Sequence, residues 1–364
     1  MDLLLHLTSP AQWRGALSVG SLAPASVVTD GFVHLSASEQ VALPANRLVA
    51  GRDNVLLLVV DPGRLRDELR LEPGVPTDPA SMEFPHLYGP LPTEAVTSVV
   101  PYRPGPSGSF EDPVDLPAPS DRAGRARAFD PSLVQRRAAA VLPVAGGFAV
   151  LDPRVPASYE HNCLWVSAPV SAHTVVDEAD RTLASLAHRR VVFDGEAPSE
   201  GLAWNVEEFR LMLLDPGAPP PAASMAPVSA VTSDVIARLW RRSWRRQLTE
   251  VPDAVIDDLV RREPLTDAFV RVIDLAVLGD DETPMAGAQL RIDGATASIE
   301  AVLTEPGHRG KGYAAAVVGA AIDRAKAAGC DVVFLSAAAD DWPRHWYARL
   351  GFVDVGPRWE ATLA

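Results

Sequence analysis

The chain of 364 residues carries 47 acidic and 33 basic side chains, which gives a formal net charge of −14. This acidic balance argues against a protein that coats nucleic acid. Hydrophobic content of 47% is typical of a globular protein, and no apolar run reaches the ~18 residues of a membrane span. The two cysteines, Cys163 and Cys330, are far apart and predict neither a disulfide framework nor a metal site, so we expect a cytoplasmic protein.

Proline-rich stretches divide the chain, because they lack the periodicity of helices and strands. One lies in residues 104–128 and predicts a stiff linker, and a shorter one covers residues 215–221. The length of the chain also favours two or three domains. We therefore predict an amino-terminal module (1–103), a middle module (129–215) and a carboxy-terminal module (226–364).

The amino-terminal module predicts a small α+β domain. A short apolar strand over residues 3–7 is followed by Ser9 and Pro10, a pair that favours the start of a helix. We also predict a helix over residues 38–50, followed by two strands, over 54–60 and 96–100.

Three histidines of this module, His6, His34 and His86, have apolar neighbours in the sequence. Their spacing is too irregular for a zinc site. The simplest interpretation is that they are half-buried side chains at strand ends. Alternatively, they belong to a ligand site, since an imidazole can hydrogen-bond a hydroxyl or a phosphate.

Segments 6–8, 31–36 and 84–90 resemble the motifs of a small bacterial family, domain of unknown function 952, and the resemblance covers nearly the whole module. The first two segments are also similar to His-x-Thr and Val-His-Leu-Ser segments of RNA 2′-phosphotransferases, which have an ADP-ribosyltransferase fold. That more distant resemblance implies a nicotinamide-dinucleotide cleft. The second candidate site that it implies consists of His6, Thr8, His34, Ser36, Glu83 and His86. We favour a binding domain or an inert relic over a retained NAD-using activity.

The carboxy-terminal module begins with two predicted amphipathic helices, which start near Ser233 and Pro252. One face of the first helix carries Arg241, Arg242, Arg245 and Arg246. We interpret this cluster as a solvated face rather than a phosphate-binding patch. Three strands, over 269–278, 285–292 and 298–304, then form a meander with turns between them.

A glycine-rich turn follows the last of these strands and leads into an alanine-rich helix. Glycines 307, 310 and 312 let the backbone turn tightly and approach a ligand closely. The unpaired N–H groups and the dipole of a helix start both favour an anion such as a pyrophosphate. The spacing fits neither a mononucleotide P-loop nor the G-x-G-x-x-G fingerprint of dinucleotide-binding folds.

The turn instead resembles the acetyl-coenzyme A signature of the GNAT acetyltransferase superfamily, with Arg309, Gly312 and Ala314 at its three defining positions. About 35 residues later, Trp346-Tyr347 and Gly351-Phe352 resemble the second signature of that superfamily. The resemblance implies a GNAT fold for the carboxy-terminal module, with a mixed central sheet and flanking helices. The whole chain is thus expected to be an α+β or α/β multidomain protein.

The resemblance implies specific roles for residues of this module. The acyl donor would be acetyl-coenzyme A, bound by Val302, Leu303, Thr304, Arg309, Gly310, Lys311, Gly312, Tyr313 and Ala314. Main-chain groups of the first three would hold the pantetheine arm and the carbonyl, and amides of the others would hold the pyrophosphate. Tyr347 matches the position of the general acid.

Glu300 is the second candidate catalytic residue. Strand alternation predicts that its side chain faces the same side as those of Val302 and Thr304, where it could deprotonate an amine. An exposed carboxylate on the sheet face is the plainer interpretation. Asp340 and Asp341 follow the next strand and are also candidates for the acceptor pocket.

The middle module predicts a helix over 132–141, strands over 147–151 and 164–166, a helix over 177–188, and strands over 190–194 and 206–214. This order is similar to an incomplete acetyltransferase half. Because the module has no glycine-rich turn after a strand, we predict no place for a pyrophosphate there. Cys163 is interpreted as a small buried residue rather than a nucleophile.

The sequence therefore predicts an acetyl-coenzyme A-dependent N-acetyltransferase that acts on a small-molecule or peptide amine, without a metal, nucleic acid or membrane. One alternative is an NAD-dependent ADP-ribosyl transfer centred on His6 and His34. Another is a sensor that binds acyl-coenzyme A without turnover. The acceptor and the oligomeric state stay open.

Overall fold

The computed structural model describes residues 2–74, 82–198, 201–219 and 226–363, in a multidomain α/β arrangement. No helix within these residues is long and apolar enough to cross a membrane. Residues 220 and 221 of the second proline-rich stretch lie outside the described residues.

The amino-terminal module forms three small sheets flanked by short helices. Its elements are β1 (Leu4–Thr8), α1 (Pro10–Val19), β2 (Ser21–Leu22), α2 (Ser26–Thr29), β3 (Val33–His34), α3 (Ala42–Leu48), β4 (Val55–Val60), β5 (Leu69–Pro73), β6 (Glu83–Leu87), β7 (Leu91–Pro92) and β8 (Val96–Tyr102). The sheets have the orders β1-β4-β8, β2-β7 and β3-β6-β5. Helix α1 begins as expected, because Ser9 and Gln12 form a reciprocal capping box ahead of Pro10.

The middle region contains α4 (Arg122–Arg137), β9 (Ala140–Val144), β10 (Gly147–Leu151), β11 (Cys163–Val166), α5 (Ala172–Thr182), β12 (Arg189–Asp194) and β13 (Asn205–Leu214). The prediction of a helix over 132–141 was wrong at both ends. Helix α4 starts ten residues earlier, inside the proposed linker, and continues through Pro131. The bounds of this helix were mispredicted because its sequence is polar. Its buried face includes Arg125, Arg136 and Arg137, which form ion pairs and hydrogen bonds. Helix α5 likewise lies about five residues before its predicted position.

The carboxy-terminal module contains β14 (Ser229–Val231), α6 (Ser233–Gln247), α7 (Asp253–Arg261), α8 (Glu263–Asp267), β15 (Arg271–Leu278), β16 (Pro284–Asp293), β17 (Thr296–Thr304), α9 (Tyr313–Ala327), β18 (Val332–Ala338), α10 (Trp342–Arg349) and β19 (Phe352–Leu363). Helix α9 packs its alanine and valine face on this part of the sheet, with Val317, Val318, Ala321 and Ile322 in the largest core cluster.

One sheet of eleven strands joins the middle and carboxy-terminal modules, in the order β14-β15-β16-β17-β18-β13-β19-β12-β11-β10-β9. Strand β13 of the middle module lies between β18 and β19, and β19 lies between β13 and β12. Each module thus gives its last strand to the other. On both sides of this central pair a parallel ladder follows, β17 with β18 and β11 with β12. The exact module boundaries stay a prediction.

The amino-terminal module packs on the turn that joins β16 to β17. Trp13 donates a hydrogen bond to Asp293 at 2.7 Å, and the Ala295 N–H donates to the Val96 carbonyl at 2.7 Å. Arg125, which is 1% exposed, reaches both sides, since it donates to the Thr97 and Ala295 carbonyls. These buried contacts fix the module against the end of the sheet remote from the glycine-rich turn.

Candidate active site

Strands β17 and β18 diverge and open a gap in the central sheet. Their parallel ladder covers only residues 296–298 and 332–334, and beyond it β18 continues with β13 while β17 continues with β16. The edge of β17 that faces the gap therefore carries main-chain groups without a ladder partner. Such groups can hydrogen-bond an extended ligand that enters between the strands.

A β-bulge interrupts β17 at the same point. Glu300 is opposite Gln289 but Leu303 is opposite Gly287, so β17 has one residue more than β16 between these pairs. Ala301 takes up the extra residue with a φ of 50°, which is unusual for a residue with a side chain.

The bulge overturns the prediction that Glu300 shares a face with Val302 and Thr304. Val302 packs on the cluster beneath α9, and Thr304 is paired with Ala286 of that cluster. Glu300 lies on the opposite face of the sheet, where it lines a cavity together with Trp244 of α6. Strand alternation assumes an unbroken strand, and the extra residue reverses it.

The glycine-rich turn forms the start of α9 as expected. Gly310 and Gly312 have φ values of 77° and 79°, and Gly312 is the N-cap of the helix without a side-chain capping bond. The first intrahelical bond runs from the Ala316 N–H to the Gly312 carbonyl, so the N–H groups just before it point out of the helix end. A Cβ at Gly310 would meet no atom within 4 Å, which leaves open space above the turn.

A cavity of about 820 Å³, which we call the donor cavity, lies over this turn. The predicted residues that line it are Val302, Leu303, Thr304, Arg309, Gly310, Gly312, Tyr313, Ala314 and Tyr347. The side chain of Lys311 lines a neighbouring cavity instead. The sequence did not predict the contribution of α6, where Leu239, Ser243 and Arg246 also line the donor cavity.

Thr304 and Tyr347 are two of the polar residues that line the donor cavity. The hydroxyl of Thr304 is buried and has no hydrogen-bond partner among the described residues. Tyr347, on α10, is 7% exposed, and burial together with the charge of Glu300 raises its pKa above the usual value. The phenol is therefore a permanent O–H donor at neutral pH.

A small cavity of about 220 Å³, which we call the gap, fills the space between the diverging strands. Tyr347 lines both the gap and the donor cavity. Glu300 lines the gap as well as a third cavity on the far side of the sheet. The two candidate catalytic residues thus lie on opposite sides of one opening.

Glu300 has an unusual ionisation. Burial raises its pKa to about 7, and the charge of Asp130 adds to this, while Arg291 and a hydrogen bond from Ser298 act in the other direction. A carboxylate with a pKa near 7 is well matched to accept a proton at neutral pH.

The third cavity, which we call the acceptor-side cavity, has a volume of about 640 Å³. The middle module and α4 form one wall, with Asp130, Glu160, Trp165 and Arg190, and helices α6 and α7 form another. The sequence did not predict this site, because its residues are distant along the chain. Asp340 and Asp341 do not line it, and Asp341 instead caps α10 through a 2.7 Å hydrogen bond from the Trp342 N–H.

The arginine cluster of α6 is largely tied up in ion pairs. Arg242 and Arg246 both contact Glu305, at 2.7 and 2.8 Å, while Arg241 and Arg245 pair with aspartates of α7. The ion pairs of this face therefore connect α6 to α7 and to the start of the glycine-rich turn.

The histidines of the amino-terminal module come together. His6 donates a 2.8 Å hydrogen bond from Nδ1 to the His34 carbonyl, and burial lowers the pKa of its imidazole to about 4. His86 stacks on Phe32 at 3.9 Å and contacts Glu72 at 3.2 Å.

The other residues of the second candidate site have separate roles. Ser36 pairs through its backbone with Leu5, Thr8 hydrogen-bonds Gln12 at 3.4 Å, and Glu83 is exposed at the start of β6. Phe32, Glu72 and Tyr88 were not predicted as members of this cluster. A nicotinamide-dinucleotide site at these residues stays a prediction.

The mixed central sheet with flanking helices agrees with the GNAT fold that the resemblance implied for the carboxy-terminal module. The acetyltransferase (GNAT) family model matches residues 234–352, and the model of a protein family of unknown function, DUF952, matches residues 7–99. The chain therefore combines a DUF952 domain with a GNAT acetyltransferase domain.

Three solved structures are similar to parts of this chain. A protein from Caulobacter crescentus is 31% identical over 30% of this chain and 93% of its own, with a TM-score of 0.27. A functionally unknown conserved protein from Staphylococcus epidermidis is 14% identical over 60% of this chain and 91% of its own, with a TM-score of 0.50, which is a likeness of fold alone. A GCN5-related N-acetyltransferase from Kribbella flavida is 16% identical over 66% of this chain and 95% of its own, with a TM-score of 0.47. A search of curated proteins found no match.

Proposed function

We propose that the protein transfers an acetyl group from acetyl-coenzyme A to an amine. The observation that carries this proposal is the gap between β17 and β18, where Tyr347 on the donor side and Glu300 on the acceptor side meet. A thioester in the gap would be open to attack from one face and to protonation at sulfur from the other.

Donor binding follows from the turn and the strand edge. The N–H groups before Ala316 would hold the pyrophosphate, because they lie at a helix start with a favourable dipole. Free main-chain groups of β17 and the unpartnered hydroxyl of Thr304 would bind the pantetheine arm. This assigns the amides of the helix start, the free edge of β17 and the Thr304 hydroxyl to parts of the donor.

The chemical step needs a neutral amine and a proton for the sulfur. Ionised Glu300 would take one proton from the ammonium group, and the amine nitrogen would then attack the carbonyl carbon. As the C–N bond forms and the C–S bond breaks, the electron pair moves to sulfur and the hydroxyl of Tyr347 protonates it. The second proton lost by the nitrogen restores Tyr347, and Glu300 releases its proton to solvent.

The pH dependence of Glu300→Gln tests this proposal. We expect the wild-type kcat/KM to rise with pH through a value near 7, because only ionised Glu300 accepts a proton. In Glu300→Gln, kcat should fall about 100-fold and the rise near pH 7 should disappear. A variant that keeps the wild-type rate and profile would show that Glu300 is not the base.

Stability provides the control for this variant. The folded-state pKa of Glu300 lies above its usual 4.5, so its contribution to the free energy of unfolding declines as pH rises from about 4.5 to 7. At pH 8 the glutamine variant should therefore be at least as stable as the wild type in urea unfolding. Lost turnover in a variant of that stability reports lost chemistry rather than lost folding.

A further inference from the structure

The acceptor-side cavity has a composition that selects a class of acceptor. It shares helix α6 with the donor cavity and reaches Glu300, which also lines the gap. Its walls carry five arginines and four carboxylates, and these are Arg137, Arg190, Arg262, Arg291 and Arg358, with Asp130, Glu160, Glu300 and Glu360. The charge that a ligand contacts depends on whether the carboxylates or the guanidinium groups are the more exposed.

The carboxylates are the more exposed members of the ion pairs. In the Arg137–Glu160 pair the side chains are 2% and 28% exposed, and the N–O distance is 2.6 Å. The values are 13% and 26% for Arg190–Glu360, and 6% and 22% for Arg358–Asp130. In each pair the guanidinium is the less exposed partner.

Aromatic side chains hold two of the arginines against the wall. The guanidinium of Arg358 lies 5.0 Å from the ring centre of Trp165, and that of Arg262 lies 5.4 Å from that of Trp244. Cation–π contacts of this kind stabilise an arginine away from solvent. An anionic ligand would have to displace a paired carboxylate to reach these groups.

Arginines also keep the carboxylate of Glu160 ionised. Burial raises the pKa of Glu160, but Arg137, Arg262 and Arg291 outweigh burial and hold this pKa well below its usual range. Glu160 therefore stays ionised at neutral pH beside the arginines of the cavity, in a chain whose net charge of −14 attracts cations.

Apolar residues separate the charged positions. Val251, Val255 and Leu259 from α7 and its preceding loop face Leu133 and Val134 of α4 across the cavity lining. A hydrocarbon segment between two charged ends would cover this surface. We propose, resting on the acetyl transfer proposed above, that the acceptor is an oligoamine, with one amine at Glu300 and a further ammonium group paired with Glu160, Glu360 or Asp130.

A series of acceptors of equal chain length tests the class. The probes are 1,4-diaminobutane, butylamine and 4-aminobutanoate, which share the reacting end and differ only in the charge of the other end. We expect kcat/KM for the diamine to exceed that for butylamine by about tenfold or more, and 4-aminobutanoate to be the poorest acceptor. Equal values for diamine and butylamine, or a preference for 4-aminobutanoate, would overturn the oligoamine proposal.

A matched pair of variants assigns the effect to the cavity. Glu360→Gln should raise KM for the diamine about tenfold and leave KM for butylamine and for acetyl-coenzyme A unchanged. Glu208→Gln is the control, because Glu208 is 28% exposed and pairs with Arg210 at 2.6 Å on the same pair of central strands, outside the cavity. The proposal would be contradicted if Glu360→Gln, Glu160→Gln and Asp130→Asn all changed KM for the diamine no more than Glu208→Gln does.

The outcomes also separate the two proposals. If the wild type does not bind acetyl-coenzyme A, the proposed acetyl transfer fails and the oligoamine proposal fails with it. If it binds the donor and acetylates butylamine as well as the diamine, only the oligoamine proposal fails.

Discussion

The two helices that follow the parallel strands β11 and β17 differ at their starts. Helix α5 is capped by Ser171, whose hydroxyl accepts a 3.2 Å hydrogen bond from the Thr174 N–H. Helix α9 starts at Gly312, which has no side chain to do this. The same strand–helix unit therefore satisfies its own helix start in the middle module and leaves it open for an anion in the carboxy-terminal module.

This difference explains why a pseudo-symmetric sheet would hold a single donor site. The middle module has the same strand–helix unit, and its residues Glu160, Trp165 and Arg190 line the acceptor-side cavity.

The largest expected effect comes from closing the open helix start. Gly310→Glu places a negative charge above the turn, and we expect affinity for acetyl-coenzyme A to fall at least about 100-fold in calorimetry. Gly310→Ala measures the cost of a side chain at positive φ, and Gly307→Glu adds the same charge outside the donor cavity. If Gly307→Glu weakens binding as much, the site is not at the helix start.

A smaller effect is expected at the other end of the donor cavity. Tyr347→Phe removes the O–H donor but keeps the ring that packs on Trp346 and Phe352. We expect kcat to fall about 10- to 100-fold while the affinity for acetyl-coenzyme A changes little. Equal losses of turnover and affinity would indicate a packing role.

The smallest effect tests the self-capped helix. Ser171→Ala should lower the free energy of unfolding by about 1 kcal/mol, measured in urea, because the Thr174 N–H loses its acceptor. Donor affinity should stay unchanged, since α5 does not line the donor cavity. A change in donor affinity would mean that the two helix starts are coupled.

The residues proposed for the donor side were predicted from the sequence because their features are local. The glycines of the turn, the helix after it and Tyr347 ahead of Gly351 are recognised within short segments, and the described structure brings them to one cavity. The bulge at Ala301 was missed, since it exists only in the register between β16 and β17.

The acceptor side could not be predicted for a related reason. Asp130, Glu160 and Glu360 come from α4, the middle module and the last strand, and only the exchanged strands bring them together. Helix α4 was also misplaced, because buried arginines replace the apolar residues by which a core-facing helix is usually recognised.

Calorimetric titration of the wild-type protein with acetyl-coenzyme A tests the central claim most directly, because it counts the sites. The open helix start of α9 and the capped start of α5 predict one molecule bound per chain. Two molecules per chain would contradict the difference between the two halves, and no binding would contradict the proposed function.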